Sequence, residues 1–259
     1  RVIVTGTRLD PQEKEDWHRY QMRASMPDFA RPAPISKRRT KVDLSNPLLN
    51  AGITDGLQKV QTMHPTEVYN LRKSGSPIPG SKLASTDAIG AAVGFDRKLF
   101  YALGPNEISA NLDRLQPYVY SAGKANKVDV DLINAIIVRE SKGMQNAISG
   151  TGALGTSQLT SWIYGESKAL GEAINPFNPA RAVERQAEYL AQLSAHYKGD
   201  FDRTVAAYNQ GQTPVDRAVK KHGNEWINHI HAEGREYVDH IKNIMDNGMN
   251  IPGYFGAER

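Results

Sequence analysis

From residue 105 to about residue 250, apolar side chains recur with the 3.6-residue period of a helix and nowhere with the alternation of a half-buried strand. That pattern commits the stretch to helices packed on helices, a mainly α fold. Pro105-Asn106-Glu107 is a start signal, followed at helical spacing by Ile108, Leu112 and Leu115. Pro117 is expected to restart the chain, because proline removes a backbone donor and crowds the preceding turn; 117–124 is therefore predicted as a separate short helix. Asp129 or Asp131 can cap the next helix, whose Ile133, Ile136 and Ile137 share one face. Val183, Ala187, Leu190, Ala191 and Ser194 trace another helix. A further one, capped by Asp200 or Asp202, runs through Ala206-Ala207-Tyr208-Asn209-Gln210 and stops at Gly211. The last carries Tyr237, Val238, Ile241, Ile244 and Met245.

The isoleucine face continues, seven residues after Ile133, with Glu140. A carboxylate on a core face is costly to ionise, so burial raises its pKa and makes it a candidate general acid. The plain structural alternative is a surface or cap-paired carboxylate. Asp131 lies about 180° round the same helix and is not a same-face partner. Next comes a glycine-rich run, Ser149-Gly150-Thr151-Gly152-Ala153-Leu154-Gly155-Thr156-Ser157-Gln158. It is not a phosphate cradle, since no Gly-Lys-Ser/Thr ending follows and no strand precedes it. Its glycines suit tight turns and a close approach of backbone to a ligand.

Upstream, the polypeptide is of another kind. Residues 1–80 hold 13 Lys/Arg, 8 Asp/Glu and 8 of the 14 prolines, whereas 81–259 hold 19 and 20 charged residues of the two signs. Arg31-Pro32-Ala33-Pro34 and the segment from Ser74 to Gly80 show no sustained period, so residues 1–104 are expected to form an extended, basic, Pro-rich arm with little fold of its own. Within it, Lys37, Arg38, Arg39 and Lys41 read as a solvated surface that makes weak polyanion contact at most. Zero cysteines exclude disulfides, thiol catalysis and Cys-type zinc sites. The longest nearly apolar stretch, Ala88–Phe95, is far short of the ~20 residues of a membrane-spanning helix. The chain begins at Arg1 rather than Met, which leaves a removed leader or upstream region open.

Taken in order, Glu140-Ser141, Ala147 with Ser149, Gly152-Ala153-Leu154-Gly155 with Gln158, Asn175-Pro176-Phe177-Asn178-Pro179, Tyr189-Leu190, Ala206-Ala207-Tyr208-Asn209-Gln210-Gly211 and Glu233 with Tyr237-Val238 resemble the soluble lytic transglycosylase domain over about residues 115–247. The resemblance implies a lysozyme-like helical catalytic domain, placed at 105–250 with 251–259 as a tail. It also implies cleavage of the β-1,4 bond between N-acetylmuramic acid and N-acetylglucosamine in peptidoglycan, without a cofactor. In that family a single Glu protonates the leaving oxygen, the 2-acetamido group steadies the developing cation, and the same Glu then deprotonates the 6-hydroxyl to close a 1,6-anhydro ring. The resemblance gives Glu140 both steps. It places Ser149 near the acetamido group, Gln158 and Tyr208 along the saccharide subsites, and Glu233 beside the acetamido group or the acid. Each also has an ordinary reading: a turn cap for Ser149, a helix residue for Gln158, a core aromatic for Tyr208, a helix-start charge for Glu233. The sequence departs from the family at Thr156-Ser157, where Leu-Met is common, at Thr160 in place of Met, and at Gly234 in place of Thr.

His229, Glu233, Glu236 and His240 would share one face of a continuous helix and could hold zinc, but Gly234 interrupts them and surface imidazoles are the preferred reading, with no metal site expected. Two classes of function follow. The first is an enzyme opening peptidoglycan locally, virion-borne and acting in the periplasm during phage ejection, with residues 1–104 docking on other subunits; a conjugation or secretion apparatus is the nearest rival setting. The second is a structural or wall-binding component with weak turnover, suggested by Ser157 and Thr160.

Overall fold

A computed structural model describes residues 63–68, 89–90, 93–160, 163–164 and 173–247 of the chain. Among them run α1 (Arg97–Ala102), α2 (Pro105–Asn126), α3 (Val130–Ser141), α4 (Pro179–His196), α5 (Phe201–Gln210), α6 (Gln212–His222) and α7 (Ala232–Asn247), with a 3₁₀ turn over Gly223–His229 between the last two. The described residues contain no strand; Ile148, Leu154 and Leu159 meet only in isolated antiparallel bridges. The mainly α expectation holds. Lys37, Arg38, Arg39, Lys41, the two Pro-rich stretches and the 251–259 tail lie outside the described residues.

Helix α3 sits at the centre because its sequence permits nothing else: Leu132 through Val138 are all buried, the mark of a helix surrounded on every side. Asp129, rather than Asp131, caps it by accepting from Asp131 N at 2.8 Å. Helices α2, α4 and α7 pack on α3, and α5 packs on α4, α6 and α7. Asp200, rather than Asp202, caps α5 through Arg203 N at 2.9 Å, and Gly211 ends α5 at φ +87° as expected of a helix-stopping glycine. The one polar side chain at the middle of α3, Asn134, is fully buried and accepts from Gln116 Nε2 at 3.0 Å.

One expectation fails at Pro117: α2 runs unbroken through it for 22 residues. Ile108, Leu112, Leu115, Val119 and Ala122 form a single buried stripe spanning the proline. Burying the second half of that stripe outweighs the ~3 kcal/mol that an interior proline costs. Gln116 Nε2 also reaches back to Leu112 O at 3.1 Å and supports the turn beside the proline.

A second difference concerns the upstream boundary. Val68, Ile89 and Val93 are buried with Ile148, Leu154, Leu159, Tyr164, Ile174 and Phe177 in a second core cluster. Asn175 Nδ2 donates to Met63 O at 3.0 Å, and Asn146 Nδ2 donates to Gly94 O at 3.1 Å. Packing therefore reaches upstream of residue 105, and parts of the segment read as an arm are built into the folded body. Ile89→Ala is expected to lower the unfolding free energy by about 2–4 kcal/mol in urea titrations, and deleting residues 1–104 to lower Tm further than that single change. A truncated chain as stable as the full one would contradict this packing.

Candidate active site

Glu140 occupies the last turn of α3, which Lys142 closes in the left-handed region at φ +51°. Its neighbour Ser141 is buried and donates its hydroxyl to Thr156 O at 2.6 Å, clipping the glycine-rich loop to the end of the helix. That loop folds back through Gly155 N to Ala147 O at 2.9 Å. Gly155 is required there: at φ +74°, a Cβ would sit 1.9 Å from Pro176 O. The close approach read from the glycines is thus to another stretch of backbone.

The loop, α3, α4, α5, the start of α6 and the start of α7 line a groove of about 830 Å³, and Glu140, Ser149, Gln158, Tyr208 and Glu233 all face it. Two of the five also do the ordinary work their sequence context suggested, Ser149 as a turn cap and Tyr208 as an aromatic packed against the core, whereas Gln158 stands in a turn and not in a helix. Ser149 Oγ accepts from Ala153 N at 2.9 Å and caps its turn. Gln158, at φ +46°, donates its amide hydrogens to Ala147 O (3.1 Å) and Gly155 O (2.9 Å). Tyr208 donates to Ser157 O at 2.9 Å, and its ring lies 5.8 Å from that of Tyr189, another groove residue. Glu233 is the second residue of α7.

Glu140 is the electrostatic centre of the groove. Burial at the floor pushes its carboxyl up from 4.5 to about 7; the Tyr237 hydrogen bond and the Arg139 guanidinium pull it down, and the Glu233 carboxylate pushes it up again. Tyr237 Oη donates to Glu140 Oε1 at 2.5 Å, and Arg139 lies over the Tyr237 ring at 5.7 Å. Oε2 takes no hydrogen bond among the described residues. The Tyr237 and Tyr208 hydroxyls are both held well above the usual phenol range, chiefly by burial, with the Glu140 charge adding to it. Both remain protonated donors.

Sequence reasoning missed Tyr237, Tyr189 and Gln210 as site residues, although all three stand in the quoted motifs. Gln210 lines the groove, and its Nε2 is buried without a hydrogen-bond partner among the described residues. The four residues weighed as a zinc face do not share a helix. His229 ends the 3₁₀ turn and stacks on His222 at 3.5 Å, the backbone extends at Ile230, and α7 begins at Ala232. No group of three or more metal-ligating side chains occurs among the described residues.

Residues 117–231 match the family described as the Transglycosylase SLT domain. Peptidoglycan transglycosylase gp16 of Escherichia phage T7 is 30% identical over 135 residues, 49% of this chain and 10% of that protein. Membrane-bound lytic murein transglycosylase C of Yersinia enterocolitica is 28% identical over 142 residues, 49% of this chain and 40% of its own length. The chain thus spans well under half of each of these curated relatives. The solved structure of an inactive mutant of lytic transglycosylase Slt from Pseudomonas aeruginosa is similar to 91% of this chain and 43% of its own, at 22% identity and a TM-score of 0.47.

The matched region accommodates its departures in specific ways. Ser157 is fully buried and donates to Gln186 Oε1 at 2.7 Å, whereas Thr160 lies exposed on the groove wall. Gly234 leaves room for Gln210, since a Cβ there would lie 2.8 Å from Gln210 Nε2. A folded-state pKa raised to about 7 means that ionising Glu140 works against folding; the penalty is absent below 4.5, grows through the interval and is complete above 7. Glu140→Gln is therefore expected to stabilise the protein at pH 8 by up to about 3 kcal/mol and to change little at pH 4. Denaturant titrations at the two pH values check the sign.

Proposed function

We propose that this chain is a peptidoglycan lytic transglycosylase that cleaves the β-1,4 bond between N-acetylmuramic acid and N-acetylglucosamine with a 1,6-anhydro product. The observation that carries the reading is a single carboxyl, raised to about 7 at the floor of a groove and held by Tyr237. Near neutral pH a substantial fraction of Glu140 is protonated, as a general acid requires. Because Tyr237 donates to Oε1, the acid proton resides on Oε2, the oxygen left for the leaving glycosidic atom. Once the bond breaks, the Glu140 carboxylate is a base strong enough to take the proton of the 6-hydroxyl, whose oxygen then closes on the anomeric carbon. Ser149 would stand near the acetamido group, Gln158 and Tyr208 along the sugars, and Glu233 beside the acid, where its charge adds to burial in favouring the protonated form of Glu140.

The SLT match and the two curated relatives support peptidoglycan as substrate, and the phage T7 relative supports a virion setting with action in the periplasm. In that setting the protein opens the wall locally for genome ejection, and the basic upstream region docks it on other particle subunits. No helix among the described residues is long and apolar enough to cross a membrane. Glu233 in the same groove favours one second reading, hydrolysis by two carboxylates.

Peptidoglycan incubated with the full chain is expected to release anhydromuropeptides by mass spectrometry; products with reducing ends would establish hydrolysis instead. Glu140→Gln is expected to cut product release about a thousandfold. Tyr237→Phe removes a bond that favours the carboxylate, so the alkaline limb of the kcat/KM profile should move to higher pH while kcat falls roughly tenfold. An unmoved limb would break the link between Tyr237 and the acid.

A further inference from the structure

Ser157, one of the two polar residues standing where the family commonly has Leu-Met, belongs to a connected buried network. Ser157 and Gln186 are both 0% exposed. Ser157 Oγ donates to Gln186 Oε1 at 2.7 Å, and Gln186 Nε2 donates to Ile133 O, in the first turn of α3, at 3.1 Å. Ser157 O in turn accepts the Tyr208 hydroxyl at 2.9 Å. One glutamine on α4 thereby ties the central helix bearing Glu140 to the loop residue from which a groove tyrosine is hung. A methionine at 157 would fill space there but could donate neither to Gln186 Oε1 nor to Ala182 O, which the Ser157 hydroxyl also reaches at 3.2 Å. A buried hydroxyl with one strong acceptor instead fixes the rotation of the 157 peptide.

We infer that Ser157 and Gln186 are a positioning pair for the reaction proposed above, on which this inference rests: they fix the Ser157 carbonyl and so set where the Tyr208 oxygen stands against the substrate. Neither side chain lines the groove, so neither is a catalytic residue; both act through Tyr208. Their effect therefore falls on kcat more than on KM, and it vanishes when Tyr208 can no longer hydrogen-bond.

The test is a double-mutant cycle on the full chain, with anhydromuropeptide release from peptidoglycan as the readout and each variant assayed at least 15 °C below its own Tm. Ser157→Ala and Tyr208→Phe are each expected to lower kcat about tenfold with KM within about threefold of wild type. The double variant should lose no more than about threefold beyond Tyr208→Phe alone. Losses that multiply to about a hundredfold, or a Ser157→Ala loss below about threefold, overturn the inference, since a merely structural role would act independently of the tyrosine hydroxyl. Gln186→Met keeps the side-chain volume while removing both polar links; it serves the same cycle if Ser157→Ala does not fold. A wild-type chain that releases no anhydromuropeptide overturns the reading of the site, and this inference with it. An active wild type with uncoupled variants overturns the inference alone.

Discussion

An ionisable carboxyl at the floor of a groove, on the end of a helix buried on every side from Leu132 to Val138, is the constraint to which the rest of the molecule answers. Folding α3 into the core from Leu132 to Val138 leaves Glu140 at the mouth of that core with little water to solvate its charge. Such a group is tolerated only if its neighbours are arranged for both of its protonation states. Tyr237 supplies a donor for the ionised form, Arg139 a nearby positive charge, and Glu233 an opposing charge that adds to burial in favouring the neutral form. Three side chains from two helices thus bracket the acidity of one residue.

The same constraint explains why a loop without strand or helix is held so firmly. Ser141 clips it to the end of α3, Gly155 lets it lie on the backbone of Pro176, and Asn175, one residue earlier, reaches Met63 far upstream. The chain of contacts runs from the groove through the loop to segments well outside the SLT match. Val68, Ile89 and Val93 close the second core behind that loop. Stability and site geometry are accordingly one problem here: loosening the upstream segments relaxes the wall that carries Ser149 and Gln158.

Much of this was legible in sequence because it depends on local period. The isoleucine face pointed at Glu140, the cap residues lay among those named, and the motif order brought five separated positions to one groove. What was not legible depends on partners distant in the chain. Pro117 reads as a break because its cost is local, whereas the burial that overrides it comes from α3 and α4 packing on α2. Tyr237 and Glu140 are 97 residues apart, and nothing near either one announces the bond. Ser157 reads in sequence as a departure that suggests weak turnover, because the acceptor its buried hydroxyl needs, Gln186, lies on another helix. Val68, Ile89 and Val93 stand among glycines and prolines with no period to betray them.

The hydrogen bonds of Tyr208 and Gln158 also decide what sort of molecule the groove can hold. Both side chains point every hydrogen they own at backbone carbonyls of the loop. Lone pairs are all that remain to greet a guest, so at these two points the cleft behaves as a comb of bare oxygens. Ligands rich in O–H and amide N–H mesh with it, and those that present only carbonyls or ether oxygens find nothing there to bind.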